Sequence, residues 1–280
     1  MSSAPREVGR AHRYARERGV CVPLYVFARL LLTPILRAWF HARISGAEHI
    51  PKQGAAIVAC NHKSSLDAFF IGIATRRYVR FMTKTELFFG PLGWLLLRLG
   101  AFPVRRGETD AEAIETARLI LEQGGVLVMF PEGTRVEDRH ALGSPHHGAG
   151  RVALETGAPL IPAAISGTHR LWIGPVPKPR RVQLTFLRAV DPGRLADHSD
   201  AVDELIDDEL WPAIRQEYGR QLARSGLILA ALATTGIGVR VLARRWEQAP
   251  PRLLGIVEPL KARRRKTMRR WVKRFVKRLP

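Results

Sequence analysis

The chain has 280 residues, of which 46% are hydrophobic, and a formal net charge of +20. It is long enough to bury the core that a catalytic fold needs, and so strong a positive charge predicts an anionic partner. The two cysteines, Cys21 and Cys60, share no motif spacing, which excludes a disulfide framework and fits a reducing compartment.

An apolar segment follows the basic N-terminus. Residues 1–19 contain no apolar stretch that leads to a small-residue cleavage site, so we expect no signal peptide. Residues 20–40 are long enough to cross a bilayer, but they are interrupted by two charged residues and two prolines, namely Arg29, Arg37, Pro23 and Pro34. An arginine near the centre of a span costs about 2.5–3.5 kcal/mol on insertion scales. An interfacial or hairpin-like segment is therefore favoured over a simple transmembrane helix.

The middle of the chain, residues 50–225, is predicted to be an α/β domain with a mostly parallel central sheet flanked by helices. Short β-rich runs alternate here with helical patterns, which is typical of such a sheet. The clearest helix covers 110–122, where Thr109 and Glu112 have the spacing of a capping box, and a second helix is expected at 200–224. Six runs are expected to be strands: 54–60, 79–83, 101–105, 126–130, 159–165 and 182–187.

The two ends of the chain differ from this domain. Residues 1–49 are predicted to be a basic N-terminus with a membrane-associated helix, and 226–280 an apolar helix, a Pro-Pro linker and a basic amphipathic tail. Residues 261–280 contain 11 Lys or Arg and no acidic residue, and apolar side chains recur along 267–279 at three- and four-residue steps. This pattern predicts a helix on an anionic membrane surface. The alternative is a solvated basic tail, or one that contacts RNA nonspecifically.

The segment NHKSSLD links a predicted strand to a predicted helix, the place where an α/β sheet usually carries its site. His62 and Asp67 are five residues apart and would diverge on one continuous helix. They can meet only if His62 lies in the turn and Asp67 in the first turn of the helix. The carboxylate could then fix the imidazole tautomer, leaving the other nitrogen to accept a proton from a substrate hydroxyl. The alternative is that Ser64 and Asp67 form only a capping box.

Two further turns carry charges suited to a phosphate. FPEGTR (130–135) follows a strand and offers backbone N–H groups, a glycine and an arginine, and GAFPVRRG (100–107) ends a strand in two arginines. The alternatives are a polar turn and solvent-facing charge, respectively. No Ser or Cys stands in a nucleophile-elbow context, so the imidazole would activate the acceptor directly, without a covalent enzyme intermediate.

Taken together, these residues resemble the lysophosphatidic acid acyltransferase family, within the wider glycerolipid acyltransferases. Four ordered blocks carry the resemblance: NHKSSLD (61–67), KTELFFGPLGWLLLRLGAFPVRRG (84–107), FPEGTR (130–135) and LIPAAI (160–165). The resemblance covers about residues 50–190. It implies transfer of an acyl group from acyl-CoA or acyl-carrier protein to the 2-hydroxyl of 1-acylglycerol 3-phosphate, which gives phosphatidic acid, with no metal or other cofactor.

The resemblance also implies a role for each matched residue. His62 is the expected general base and Asp67 orients it, while Asn61 and Ser64 support the catalytic loop. The expected acceptor-phosphate contacts are Lys84, Arg106 and Arg135, and the residues expected to shape the same pocket are Glu132, Gly133 and Thr134.

One departure leaves the acceptor open. Family members commonly carry an aromatic-Lys pair before a glycine after the third block, whereas this chain has SPHHGAG at 144–150. Glycerol 3-phosphate, another lysophospholipid or a glycolipid are the alternative acceptors, and a non-catalytic protein that binds anionic surfaces is the alternative of another class. His146 and His147 are expected to lie in a solvated loop without a nearby set of carboxylates, rather than to bind a metal.

The expected partners are the lysophospholipid acceptor, the acyl thioester donor, which includes acyl-carrier protein as an option, and an anionic membrane surface. No specific nucleic acid is expected. Basic residues flank both apolar segments, which indicates the cytoplasmic face of the membrane.

Overall fold

A seven-stranded sheet forms the centre of the computed structural model, which describes residues 4–105, 110–173, 176–195 and 199–225. A separate two-stranded hairpin comprises β7 and β8. The nine strands are β1 (Arg43–Ser45), β2 (Ala56–Cys60), β3 (Val79–Lys84), β4 (Ala101–Val104), β5 (Val126–Met129), β6 (Leu160–Ser166), β7 (Trp172–Ile173), β8 (Val176–Pro177) and β9 (Gln183–Phe186).

The strand order of the large sheet is β1-β9-β6-β2-β5-β3-β4. The five strands from β6 to β4 are mutually parallel, while β9 runs antiparallel to β6 and is parallel to β1. The predicted fold class, a mostly parallel sheet flanked by helices, is confirmed, and each of the six predicted strands is present. The sequence did not predict β1, β7 or β8, because runs of two or three residues are too short to show a period-2 pattern.

Helices cover both faces of the sheet. They are α1 (Ala4–Glu17), α2 (Val22–Trp39), α3 (Asp67–Ala74), α4 (Gly90–Arg98), α5 (Ala111–Glu122), α6 (Gly148–Thr156) and α7 (Ala201–Asp203), which continues through a π-helical stretch (Glu204–Leu210) into helix at 211–225. In the π-helical stretch the N–H of Trp211 donates to the carbonyl of Ile206, five residues earlier. The next residue, Pro212, has no N–H to continue an α-helical ladder.

Alternate residues of β2 enter different cores. Val58 and Cys60 pack in a cluster with α2 and α3, and Ile57 and Ala59 pack in a cluster with α5, α6 and the helix that contains Trp211. All five residues of β2 are buried, which is the pattern of a central strand covered on both faces. The five parallel strands run in the same direction, so their carboxyl ends meet at one edge of the sheet. The loops that follow these strands therefore lie side by side.

The predicted start of α5 needs a correction. The N-cap is Asp110, whose carboxylate accepts from the N–H of Ala113 at 3.3 Å and from the N–H of Arg105 at 2.8 Å. Thr109, the expected cap, lies outside the described residues. Asp is among the best N-cap residues, and here its carboxylate also fixes the end of the preceding strand. The predicted end of this helix is confirmed, since Gly124 has the positive φ of 75° that favours glycine.

The predicted apolar segment forms one continuous helix, α2, and therefore no hairpin. It has 18 residues and is long and apolar enough to span a membrane, but Tyr25 and Leu36 are buried against the domain. The charge of Arg29 is compensated by hydrogen bonds, because its guanidinium donates to the carbonyls of Arg76 and Arg77 at 2.9 and 2.6 Å. The other side of the helix exposes large apolar side chains: Val22, Val26, Phe27, Leu30, Leu31, Ile35 and Trp39.

The predicted C-terminal elements cannot be compared with the structure. The apolar helix, the Pro-Pro linker and the basic tail at 267–279 all lie outside the described residues and remain predictions.

Candidate active site

His62 and Asp67 form a buried pair at the carboxyl end of β2. His62 lies in the turn after the strand and Asp67 is the first residue of α3, the arrangement that the five-residue spacing requires. The imidazole Nδ1 is 3.0 Å from Oδ2 of Asp67, and the two side chains are 7% and 0% exposed. Because a carboxylate accepts, Nδ1 carries the proton and Nε2 presents a lone pair. Among the described residues, Nε2 has no hydrogen-bond partner.

The carboxylate of Asp67 also organises the backbone of the turn. Its Oδ2 atom accepts from the N–H groups of Lys63 and Ser64, both at 2.7 Å, in addition to the imidazole. The bond to Ser64 is one half of the capping box that the sequence allowed, since it joins a first-turn carboxylate to an N–H before the helix. Ser64 itself accepts from the N–H of Leu66 at 3.3 Å, which supports the same loop.

Asn61 joins the catalytic loop to the neighbouring strand β6. Its Oδ1 accepts from the N–H of Ile165 at 2.8 Å, and its Nδ2 donates to the carbonyl of the same residue at 3.0 Å. The side-chain amide thus imitates a backbone pair and extends the β2–β6 ladder past the end of β2. The position of His62 relative to β6 is fixed by this contact.

Glu132 joins the same loop to the turn after β5. Its Oε2 accepts from the N–H of His62 at 2.5 Å and its Oε1 from the N–H of Gly143 at 2.8 Å. Burial raises the pKa of this carboxyl, while the two N–H donors and the charge of Lys63 act in the opposite direction. Because both of its oxygens accept from backbone N–H groups, the carboxylate holds the turn after β2 and the 136–143 region together. Its predicted contact with an acceptor stays a prediction.

The FPEGTR turn places an aromatic ring against the imidazole of His62. Phe130 stacks on His62 with ring centroids 4.0 Å apart and an angle of 21° between the planes. Gly133 has a φ of 63°, and a Cβ there would lie 2.9 Å from the imidazole Cδ2 of His146. The positive φ favours glycine at this position, and a larger residue would also displace the ring of His146. Thr134 is exposed, and its N–H donates to the carbonyl of Glu132 at 2.7 Å.

Lys63 is a structural residue of the site that the sequence did not single out. It is buried, and its Nζ donates to the carbonyls of Asp138, at 2.9 Å, and Ala141. The ammonium also lies 5.2 Å from the ring centroid of Tyr218. Burial lowers the pKa of Lys63. These contacts fasten residues 136–143, here named the 136–143 loop, onto the catalytic loop. A lysine at a variable position of a motif gives no signal for such a role.

The cations predicted to hold a phosphate lie farther along the same edge. Lys84 is the last residue of β3, and Arg135 is the last residue of the FPEGTR turn; both are exposed. Neither side chain has a hydrogen bond or an ion pair with another described residue. Arg106 lies outside the described residues, so the structure does not test its predicted contact.

The surroundings of His147 differ from the expectation. Its Nδ1 lies 3.4 Å from Oδ1 of Asp203 and its Nε2 lies 3.0 Å from Oδ2 of Asp207, so two carboxylates flank the ring. The expectation of a loop without nearby carboxylates was wrong, because α7 and the π-helical stretch bring one acidic residue each from a distant segment to it. Each ring nitrogen faces a different carboxylate, so the histidine makes two separate polar contacts at the surface. The histidine ring and both aspartates are at least partly exposed.

Comparisons with known proteins identify relatives of this chain. Residues 41–166 match the family model described as Acyltransferase. A 1-acyl-sn-glycerol-3-phosphate acyltransferase of Bacillus subtilis is 31% identical over 146 residues, which cover 51% of this chain and 72% of that protein. The chloroplastic 1-acyl-sn-glycerol-3-phosphate acyltransferase LPAT1 of Arabidopsis thaliana is 28% identical over 151 residues, or 52% of this chain. That alignment spans 42% of the plant protein, less than half of its length.

A solved structure is also similar. The 1-acyl-sn-glycerophosphate (LPA) acyltransferase PlsC from Thermotoga maritima matches with a TM-score of 0.57 and 25% identity. The match covers 75% of this chain and 83% of that one. The mostly parallel sheet with flanking helices and the apolar N-terminal helix therefore agree with the fold of this relative.

The two bonds of Glu132 lead to a testable prediction. In Glu132→Gln, one amide oxygen can accept only one of the two N–H groups, and the new NH₂ group faces the other donor. We expect a loss of about 1–3 kcal/mol in the free energy of unfolding, the cost of a buried donor without a partner. Hydrogen exchange should also become faster at the N–H of Gly143. Glu155→Gln, on the exposed side of α6, is the control and should change neither quantity; equal behaviour of the two variants would contradict the assignment.

Proposed function

Because this chain belongs to the 1-acylglycerol-3-phosphate acyltransferase family, we propose that it is a glycerolipid acyltransferase that transfers an acyl group from a thioester to the 2-hydroxyl of 1-acylglycerol 3-phosphate. The observation that carries the proposal is the His62–Asp67 pair, whose geometry leaves one imidazole nitrogen able to accept a proton. The product of the reaction is phosphatidic acid, and the acyl donor is acyl-CoA or acyl-carrier protein.

The proposed reaction is a direct transfer. Nε2 of His62 takes the proton of the acceptor hydroxyl while the hydroxyl oxygen attacks the thioester carbon. The tetrahedral intermediate collapses with cleavage of the C–S bond, and the imidazolium returns the proton to the departing thiolate. Asp67 keeps the ring in the required tautomer and stabilises the imidazolium that forms transiently.

The other candidate nucleophiles near His62 support this route over a covalent enzyme intermediate. Cys60 is fully buried, and burial together with the charges of Asp67 and Glu132 raises the pKa of its thiol well above the usual value. A thiol that stays protonated is a poor nucleophile. Ser64 is engaged in the backbone of the turn, and the imidazole proton points at Asp67. The acceptor hydroxyl is therefore left as the group that His62 activates.

The sheet order supports a position for the acceptor phosphate on the β5 side of β2. Lys84 ends β3, Arg135 follows β5 and Arg106 follows β4, and these three strands lie on the same side of β2. A phosphate held by these cations would place the glycerol backbone next to His62. The two described side chains among them have no partner in the described part of the chain and are available for charged hydrogen bonds to a phosphate. The same cations also suit glycerol 3-phosphate or another lysophospholipid, so acceptor competition on the purified protein decides between these substrates.

We also propose that the domain associates with a membrane through α2, on the cytoplasmic face that the charge distribution favours. Phe27 and Leu30 are 64% and 70% exposed, and α4 adds exposed Leu92, Trp94 and Leu95. A helix that packs one side on the domain and exposes apolar residues on the other is suited to lie in one leaflet. The non-catalytic alternative, a protein that only binds anionic surfaces, has no use for the buried pair of His62 and Asp67.

The first prediction concerns catalysis. His62→Ala and Asp67→Asn should each lower kcat by about 10²–10⁴-fold, the usual contribution of general-base catalysis. Asp67→Asn keeps the shape of the side chain but provides no charge for the imidazolium. Steady-state acyl transfer with purified, folded protein is the measurement. His147→Ala, whose ring is held by Asp203 and Asp207, is the control and should retain activity; near-normal turnover by His62→Ala would exclude the mechanism.

A second prediction concerns the acceptor. Arg135→Ala and Lys84→Ala should each raise the KM for 1-acylglycerol 3-phosphate by about 10-fold or more, because a charged hydrogen bond contributes about 1.5–3 kcal/mol. The KM for the donor should change little. Lys52→Ala, an exposed lysine just before β2 and thus at the opposite edge of the sheet, is the matched control. Equal increases in both KM values would refute the assignment to the acceptor phosphate.

A third prediction concerns the membrane. The double variant Phe27→Ser and Leu30→Ser should reduce co-sedimentation with liposomes by at least about tenfold, because it removes two large apolar side chains from the exposed surface of α2. The measurement is made at high salt, which screens the basic tail. Thermal stability and activity on detergent-dispersed acceptor are the controls and should be retained. Unchanged co-sedimentation would show that α2 is not a membrane contact.

A further inference from the structure

A second group of cations lies on the other side of His62. In the sheet order, β6 and β2 are neighbours, and β5, β3 and β4 follow on the far side of β2. The loop after β6, residues 167–181, contains four Lys or Arg, one His and no acidic residue. The acceptor cations proposed above belong to the β5, β3 and β4 side. This loop is therefore a separate positive region at the same edge of the sheet.

Within this loop, Arg180 fixes the protonation state of His169. Its Nη1 lies 2.7 Å from Nε2 of His169 and donates to the carbonyl of the same residue at 3.1 Å. A guanidinium can only donate, so Nε2 accepts and the ring is neutral with its proton on Nδ1. Burial and the charges of Arg180, Arg139 and Lys63 lower the pKa of His169 to about 4, which agrees with a neutral ring.

Two buried polar atoms of this segment have no partner among the described residues. They are Nδ1 of His169, which carries the proton, and Oγ1 of Thr168, a residue that is 0% exposed. Buried donors without acceptors are rare and costly. The ring of His169 is therefore held in the interior of the loop, with its other nitrogen turned to Arg180.

The 136–143 loop adds a further cation to this side. Tyr218 donates from its hydroxyl to the carbonyl of Arg139 at 2.6 Å, and Nε of Arg170 lies 3.7 Å from Oε2 of Glu137. Although the loop follows β5, these contacts draw it toward the loop after β6. The acidic residues of this region are already engaged, since Glu137 faces Arg170 and Asp138 accepts from the N–H of His140 at 2.8 Å. The guanidinium of Arg139 has no partner among the described residues.

We propose that Arg139 and Arg180 bind a phosphate group of the acyl donor, while His169 holds the guanidinium of Arg180 in place; the three residues are named here the β6-side cluster. This inference rests on the proposed acyl transfer. The reaction joins two anionic substrates at one imidazole, and the sheet provides one set of cations on each side of it. In coenzyme A and in carrier proteins, a flexible pantetheine arm separates the thioester from a phosphate. The donor phosphate can therefore bind away from His62 while the thioester reaches the imidazole. Coenzyme A carries additional nucleotide phosphates that the same cations can bind.

The experiment compares donors with and without phosphate. Arg139→Ala and Arg180→Gln should each raise the KM for acyl-CoA by about 10-fold, as expected for the loss of a charged hydrogen bond. The KM for acyl-pantetheine, which has no phosphate, and the KM for the acceptor should remain within about twofold of the unmodified protein. Arg180→Lys keeps the charge and should restore part of the donor affinity. Equal increases for acyl-CoA and acyl-pantetheine, or an increase for the acceptor alone, would overturn the assignment.

The source of the phosphate is distinguished with acyl-carrier protein. An equal rise in KM for acyl-CoA and acyl-carrier protein places the pantetheine phosphate at the cluster, and a rise for acyl-CoA alone places a nucleotide phosphate there; either result supports the proposal. Arg188→Ala is the matched control. It lies past the end of β9, which runs antiparallel to β6, so it removes an exposed arginine at the opposite edge of the sheet.

A binding measurement separates this inference from the proposed function. Titration calorimetry with coenzyme A itself requires no turnover. Weaker binding to Arg139→Ala and unchanged binding to Arg188→Ala would support the cluster even if no glycerolipid acceptor were acylated. Acylation that proceeds normally, with coenzyme A binding equal in all variants, would overturn the cluster and leave the acyltransferase function in place.

Discussion

One carboxylate oxygen holds the candidate site together. Oδ2 of Asp67 accepts from the imidazole of His62 and from two successive backbone N–H groups, those of Lys63 and Ser64. The same residue begins α3, so the start of the helix, the shape of the turn and the orientation of the catalytic ring depend on a single buried atom. A buried charge needs compensating hydrogen bonds, and the turn directs three of them to Oδ2, while Oδ1 is buried and has no partner among the described residues. Catalytic geometry and local folding are for this reason inseparable at this position.

One side-chain bridge connects this turn to each neighbour of β2. Asn61 connects it to β6, and Glu132 connects it to the turn after β5. Lys63 then connects the turn to the 136–143 loop through its ammonium group. Bridges from side chain to backbone need only a fixed strand register, which the parallel ladders of β2 with β5 and β6 provide. The position of His62 is thereby set by three strands and not by the flexibility of one loop.

The sequence predicted what depends on periodicity and short spacing. Six strands and the meeting of His62 with Asp67 follow from local patterns, because burial on both faces and a turn of fixed length leave few alternatives. The bridges of Glu132 and Lys63 were not predicted, since they join residues 70 or more positions apart and depend on the order of strands in the sheet. Asp110 replaced Thr109 as the cap of α5 because it also binds Arg105, a contact that a local motif does not contain. The contacts of His147 with Asp203 and Asp207 were also not predicted, because these residues lie more than 50 positions apart in the sequence.

The tie between Arg29 and the end of α3 has a mechanical consequence. α2 packs against α3, and the guanidinium of Arg29 holds the carbonyls of Arg76 and Arg77, just beyond the last turn of α3. The first residue of α3 is Asp67, so one short rigid helix connects the catalytic pair to the helix with the exposed apolar side. If that side rests in a leaflet, the fold fixes the distance between the imidazole and the hydrocarbon boundary. Acceptors would then be selected by how far their reactive hydroxyl stands from the hydrocarbon boundary, and the thickness of the bilayer would not matter.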